Sequence, residues 1–261
     1  MTMQWTAVIL AGQRPGVDPL AAHFGETYKA LVPVNGVPML SIVAQTLKKC
    51  PEVGRIIILA QSPEVLSGNA AHEIALDNDT EFRVSNASIS SSLLALLDAG
   101  DAPLPWLVTT ADHPLLDPAM VAEFLEKARG DISVGMVERS VMLKQFPNAQ
   151  RTWLKFSDGA WSGANLFAFN GPNFGRALTL WAKAEQDRKQ AWKLFLHFGP
   201  WLALRAITRT IGLRDALLAA GKRIGVSINL VAMSDPVAAI DVDKPSDHAL
   251  ALQIIATRKD L

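Results

Sequence analysis

Three observations predict a three-layer α/β fold with a mostly parallel central sheet and a helical insertion. Short runs that are apolar throughout recur along the chain, and stretches of helical periodicity separate them. The 261 residues, 49% of them apolar and 19% charged, also suffice for one large core. The runs are Ala7-Val8-Ile9-Leu10, Ile56-Ile57-Ile58-Leu59, Trp106-Leu107-Val108-Thr109, Ile132-Ser133-Val134-Gly135 and Leu166-Phe167-Ala168-Phe169. Apolar at almost every position, they suit strands covered on both faces. Helical spacing runs over Pro38 to Lys48, Ser91 to Ala99 and Pro118 to Arg129, and two of these open on the proline favoured at a helix start. Alternation of the two patterns implies right-handed crossovers between parallel strands. The length suits a single domain over 1–261. From Trp181 to Gly221 the pattern turns almost wholly helical, which reads as an insertion at about 176–221. It carries Trp181, Trp192, Phe195, Phe198 and Trp201 among Lys183, Lys189, Lys193, Arg205 and Arg209. That mixture suits either helix packing or peripheral contact with a membrane interface.

Composition narrows the function classes. Twenty-five basic residues balance 25 acidic ones, which argues against disorder and against a general nucleic-acid-binding surface, so ligands must be recognised locally. No run of about 18 apolar residues offers a membrane-spanning helix. The first residues lack the basic and apolar pattern of a cleavable leader, and the lone Cys50 has no internal disulfide partner. Both fit a reducing cytoplasm, with the inner face of the membrane as the one peripheral location.

In open α/β sheets the ligand site lies beyond the carboxyl ends of the strands. Three segments occupy such positions: Ala11-Gly12-Gln13-Arg14 after the first strand, Asp112-His113-Pro114 after the Trp106 strand, and Asp241-Val242-Asp243-Lys244-Pro245 near the end. Gly12 lets the backbone approach a phosphate, Arg14 offers a planar donor fork, and Lys29 adds a compact positive charge. Taken singly, these residues fit a chain turn and solvated charges equally well. Asp112 at a strand end can bind a cation or cap the following turn. Asp241 and Asp243, two apart, project to one face of an extended segment and can share an ion, whereas Asp247 suits the start of the last helix.

The combined pattern says more. Leu10-Ala11-Gly12, a basic residue, Asp18-Pro19-Leu20-Ala21, then Lys29-Ala30-Leu31-Val32-Pro33-Val34-Asn35-Gly36-Val37-Pro38-Met39-Leu40 resembles the signature of the MobA-like nucleotidyltransferases, a branch of the sugar-nucleotide pyrophosphorylase superfamily. The resemblance is strongest over residues 6 to 45, returns near 107 to 118 and 163 to 169, and ends in Asp241 to Ala249. It implies a Rossmann-like (GT-A-like) nucleotidyltransferase fold in which Leu10, Ala11, Gly12, Arg14 and Lys29 hold a triphosphate. It further implies catalytic roles for Lys29, Arg14 and Asp112, and a magnesium ion (Mg2+) on Asp112 with Asp241, ranked ahead of Asp243, as the second ligand. Asn86 and Ser91 fall where this family reads the base, Gly163 and Asn165 where it lines the acceptor, and His113 beside them. Helix capping by the serines and an ordinary loop histidine stay open as readings. One departure is plain: the family loop is often L-A-G-G-x-G-x-R, whereas Gln13 and Arg14 follow Gly12 directly, with Gly16 further on.

The activity so implied is magnesium-dependent transfer of a nucleoside monophosphate from a nucleoside triphosphate, CTP or GTP, to a phosphorylated small molecule or lipid headgroup, with release of pyrophosphate. Two rivals stand beside it: a glycosyltransferase that starts from a nucleotide-sugar on a similar domain, and a nucleotide sensor without catalysis.

Overall fold

The computed structural model describes residues 4–13, 16–70, 79–149, 151–186 and 198–259. In chain order its elements are β1 (Trp5–Leu10), α1 (Pro19–His23), β2 (Pro33–Val34), β3 (Val37–Pro38), α2 (Met39–Lys48), β4 (Val53–Ala60), α3 (Pro63–Ala70), β5 (Thr80–Val84) and α4 (Ile89–Ala99). They continue with β6 (Trp106–Thr110), α5 (Pro118–Lys127), β7 (Ile132–Glu138), α6 (Arg139–Gln145), β8 (Leu154–Phe156), β9 (Gly159–Phe169), α7 (Gly175–Gln186), α8 (Pro200–Ile207), α9 (Leu213–Ile224), β10 (Ile228–Ala232) and α10 (Pro245–Lys259). The fold is mixed α/β, with mostly parallel strand pairing and flanking helices. All five apolar runs lie inside strands: β1, β4, β6, β7 and β9. Among the described residues no helix is long and apolar enough to cross a membrane.

The chain divides into two compact units. The first comprises residues up to Ser85, Leu107–Ala122 and Ile240–Leu261. Its strand order is β6-β1-β4-β5, with β1 parallel to β4 and β4 parallel to β5. Ala7, Val8, Ile9, Ile57 and Ile58 are fully buried. Helix α2 buries Met39, Leu40, Val43, Ala44 and Leu47, a stripe at helical spacing, each large side chain contributing about 1.5–3 kcal/mol. The β2–β3 hairpin turns through Asn35 and Gly36, both at positive φ, the pairing a two-residue hairpin demands. Cys50 closes the loop after α2, with its thiol on the Thr46 carbonyl at 3.3 Å. Burial, followed by the negative charges of Glu52 and Asp117, pushes that thiol's pKa up to about 12.

The second unit comprises Asn86–Trp106 and Glu123–Ala239, with strand order β10-β7-β9 and β8 beside β9. β10 and β7 are parallel, but β9 runs antiparallel to both β7 and β8, so its apolar run does not mark a parallel strand. Pairing of β7 with β9 slips between Val134 and Met136. A Cβ on Gly135 would lie 3.1 Å from Leu166 Cβ, so the glycine allows this irregular close approach. Helix α9 packs here through Leu213 and Leu217 against Met136, Trp161 and Leu230. Its N-cap, Gly212, has no side chain to offer. Asp158 supplies the cap from the turn between β8 and β9, accepting from Leu213 N at 3.0 Å.

Two predictions follow from these packing details. Cys50 should resist thiol-specific alkylation in the native protein and react only on denaturation, as mass-spectrometric labelling would read; rapid native labelling would contradict its burial. Asp158→Ala should remove the cap of α9 at a cost of about 1 kcal/mol, lowering Tm by about 2–4 °C. Calorimetry checks this, and an unchanged Tm would show that α9 needs no cap from Asp158.

Candidate active site

The first unit holds the loop after β1 and both acidic segments. Ala11 N donates to Leu59 O at 2.9 Å and Ala111 N to Leu10 O at 3.0 Å, so the exits of β1, β4 and β6 are tied together. Gly12 is exposed, and a Cβ there would come within 3.0 Å of the Gln61 side-chain amide. Gln13 uses every polar group it has. Its backbone N–H donates to Gln61 Oε1 at 3.0 Å, and its carbonyl accepts from Gln61 Nε2 at 2.8 Å. Its side chain donates to Thr27 O at 3.2 Å and accepts from Lys29 N at 3.1 Å. Tyr28 adds a parallel tie, its hydroxyl on Ser62 Oγ at 2.8 Å. Where the family carries a second glycine, this chain carries a four-bonded strut between the β1 loop, the end of β4 and the Lys29 turn. Arg14 lies outside the described residues.

Lys29 opens a 3-10 turn through Leu31 and reaches two carboxylates from distant parts of the chain. Its ammonium lies 2.6 Å from Asp112 Oδ2 and also bonds the Asp243 carboxylate. Burial alone would lower the Lys29 pKa; the charge of Asp112, then its hydrogen bond and those of Asp243, raise it above the ordinary lysine value instead. The second oxygen of Asp112, Oδ1, is buried with no hydrogen-bond partner among the described residues. Asp112 O accepts from Val242 N at 2.9 Å, which lays the Asp241-Val242-Asp243 segment alongside. Asp247 caps α10, accepting from Asp243 N and Lys244 N. His113 is almost fully buried, and Asp241 half-buried. The structure thus brings Lys29, Asp112 and Asp243 into one cluster. Among the described residues no group of three His, Cys, Asp or Glu side chains is placed to hold a metal.

The remaining sequence candidates lie in the second unit. Ser91 and Ser88 form a reciprocal capping box at the start of α4, with Ser88 N on Ser91 Oγ and Ser91 N on Ser88 Oγ. Asn86 is tied in by its backbone N–H on Ser92 Oγ at 2.8 Å and its side-chain amide on Ser91 O at 3.2 Å. Asn165 takes a left-handed backbone, φ 50°, beside the slip in β9, a conformation asparagine tolerates better than most residues. Gly163 is exposed, and a Cβ on it would meet nothing within 4 Å among the described residues. The bracing of the β1 loop by Gln13 and Gln61 is what sequence reasoning missed, because only the departure from the glycine pattern hinted at it.

Comparison with known proteins places this arrangement in a class. The fold matches a hypothetical transferase from Thermus thermophilus with a TM-score of 0.77 at 24% identity, covering 94% of this chain and 100% of that one. It matches a 4-diphosphocytidyl-2C-methyl-D-erythritol synthase with a TM-score of 0.62 at 14% identity, covering 98% and 99%. A 2-C-methyl-D-erythritol 4-phosphate cytidylyltransferase from Thermus thermophilus matches at 0.52 and 16% identity, covering 97% and 100%. No curated protein sequence is matched. The protein is a nucleotidyltransferase. More closely, it belongs to the MobA-like NTP transferase family, whose domain model matches residues 7–158.

The Lys29 cluster carries a prediction. Lys29→Met leaves two carboxylates facing each other and should destabilise the protein by about 1–3 kcal/mol, the upper end being held down by the exposure of Asp243. Millimolar magnesium should raise the Tm of the variant more than that of the wild type. A variant equally stable without magnesium, and indifferent to it, would show that the lysine is not balancing the pair.

Proposed function

We propose that this nucleotidyltransferase moves a nucleoside monophosphate from a nucleoside triphosphate, CTP or GTP, to a phosphorylated small molecule or lipid headgroup, with magnesium bound. The observation that carries this reading is the cluster of Lys29, Asp112 and Asp243 directly beside the loop after β1. Asp112 Oδ1 is a buried acceptor without a partner among the described residues, and Asp243 is a half-exposed carboxylate; together they offer oxygen ligands that suit a small hard cation. A pair of carboxylates suits magnesium, which fills its remaining positions with phosphate oxygens and water. When bound, magnesium supplies neutralisation of the triphosphate charge.

The chain's own groups do the rest. The loop at Gly12, where the missing side chain leaves room for the Gln61 amide, offers its backbone to the phosphates. Lys29 has three N–H donors and spends two on carboxylates, so one is left for a phosphate oxygen. Arg14 adds positive charge in the same segment. An acceptor phosphate oxygen then attacks the α-phosphorus in line, the bond to the β-phosphate oxygen breaks, and pyrophosphate leaves without a covalent enzyme intermediate. Positioning and charge neutralisation supply the acceleration. Asn86 and Ser91 are the proposed base contacts, and Gly163, Asn165 and His113 the proposed acceptor contacts. Asp241 is the alternative second ligand to Asp243. The cytidylyltransferases that share the fold make CTP the first nucleotide to assay.

The test is a pyrophosphate-release assay with the four triphosphates, magnesium and a panel of phosphorylated polyols and sugars. Acceptor-dependent release should appear, and Asp112→Asn should reduce it by roughly 10³-fold while its circular-dichroism spectrum stays that of the folded protein. Near-normal turnover in that variant would defeat the metal assignment.

A further inference from the structure

The second unit presents a helix that is apolar on both sides. Leu202, Ala203 and Ala206 of α8 turn inward, while Trp201, Leu204 and Ile207 on the opposite side are 68%, 49% and 78% exposed. Their spacing of three residues keeps them along one stripe. Next to α8 in the fold, α9 exposes Arg214, Leu218 and Lys222 at intervals of four, on one helical face. Between Gly199 and Gly225 the chain carries Arg205, Arg209, Arg214, Lys222 and Arg223 against a single acid, Asp215. None of the five basic groups makes an ion pair among the described residues. Arg205 and Arg214 donate to backbone carbonyls, of Thr210 and Leu230.

We infer that this α8–α9 surface docks the protein on an anionic lipid surface. The inference goes beyond the proposed reaction and does not rest on it. Charge decides between the candidate occupants. A second copy meeting the same face about a two-fold axis would set Arg214 and Lys222 against their own equivalents, whereas anionic headgroups complement them. Side-chain chemistry agrees, because Trp201, Leu204 and Ile207 stand exposed along one side of α8 and suit insertion at the boundary of headgroups and acyl chains. Tryptophan is the residue type that tolerates such a boundary best.

Co-sedimentation of the full chain with vesicles tests the inference without any nucleotide. Binding should be strong to phosphatidylglycerol mixed into phosphatidylcholine, at least tenfold weaker to pure phosphatidylcholine, and weaker as salt rises. The double variant Arg209→Gln/Lys222→Gln should lose more than tenfold in affinity for the anionic vesicles, since each basic residue near such a surface is worth about a factor of five. Trp201→Ala/Ile207→Ala should lose a similar amount with an unchanged circular-dichroism melt, because both side chains stand in solvent. No binding, equal binding to both vesicle types, or wild-type binding by both variants would each overturn the inference. So would light scattering that shows a dimer which Trp201→Ala/Ile207→Ala reduces to a monomer, since the stripe would then be a self-association surface.

Discussion

The ammonium of Lys29 lies between two carboxylates that would otherwise repel each other, and the arrangement of the first unit depends on it. Asp112 is 83 positions away in sequence and Asp243 is 214. One side chain therefore holds together the turn after α1, the end of β6 and the approach to the last helix. Other bonds close the same circuit. His248 Nε2 lies 2.8 Å from Pro33 O, and Arg258 reaches both Asp117, at 3.2 Å, and Leu115 O. The carboxyl-terminal helix is thereby fastened to the segments that follow β1 and β6. The trio keeps a net negative charge, so it still attracts a cation while remaining folded without one.

Much of the fold was legible because buried strands advertise themselves. β1, β4, β6, β7 and β9 contain apolar runs of a kind that few other structures accommodate. β5 escaped notice because Glu81 and Arg83 alternate with its apolar residues and pair with each other and with Arg55 along the surface. It is the outermost strand, where one-sided burial suffices. β10 is short, and Asn229 as its second residue cuts its apolar run to three residues. The antiparallel direction of β9 was not legible either, since strand polarity is set by the connection and not by the composition of the strand.

The candidate site divides the same way. Asp112 could be read from its place at the end of an apolar strand, and Lys29 from its distance to the first loop. That Asp243 rather than Asp241 would meet Lys29 could not, because residues two apart on an extended segment are equivalent until neighbours break the tie. The pairing of Gln13 with Gln61 was hidden further still. It joins residues 48 positions apart through a glutamine amide that nothing in the local pattern marks as a bracing group. Its effect is to replace the freedom of a glycine by cross-bracing, so that the loop after β1 is held in one shape from the side of β4.

The cap that Asp158 lends to α9 has a partner in Ser157 N, which donates to Ile211 O at 3.0 Å, while Asn170 N is fastened to Asp131 O at 2.9 Å. Both ends of the stretch between Asn170 and Ile211 are thus anchored to the sheet. A chain secured at its two ends tolerates changes in the length between them at a cost that grows only logarithmically. The family match ends at this anchor, at residue 158. The stretch is therefore the part of the second unit whose length can change at least cost to the strands that hold its ends.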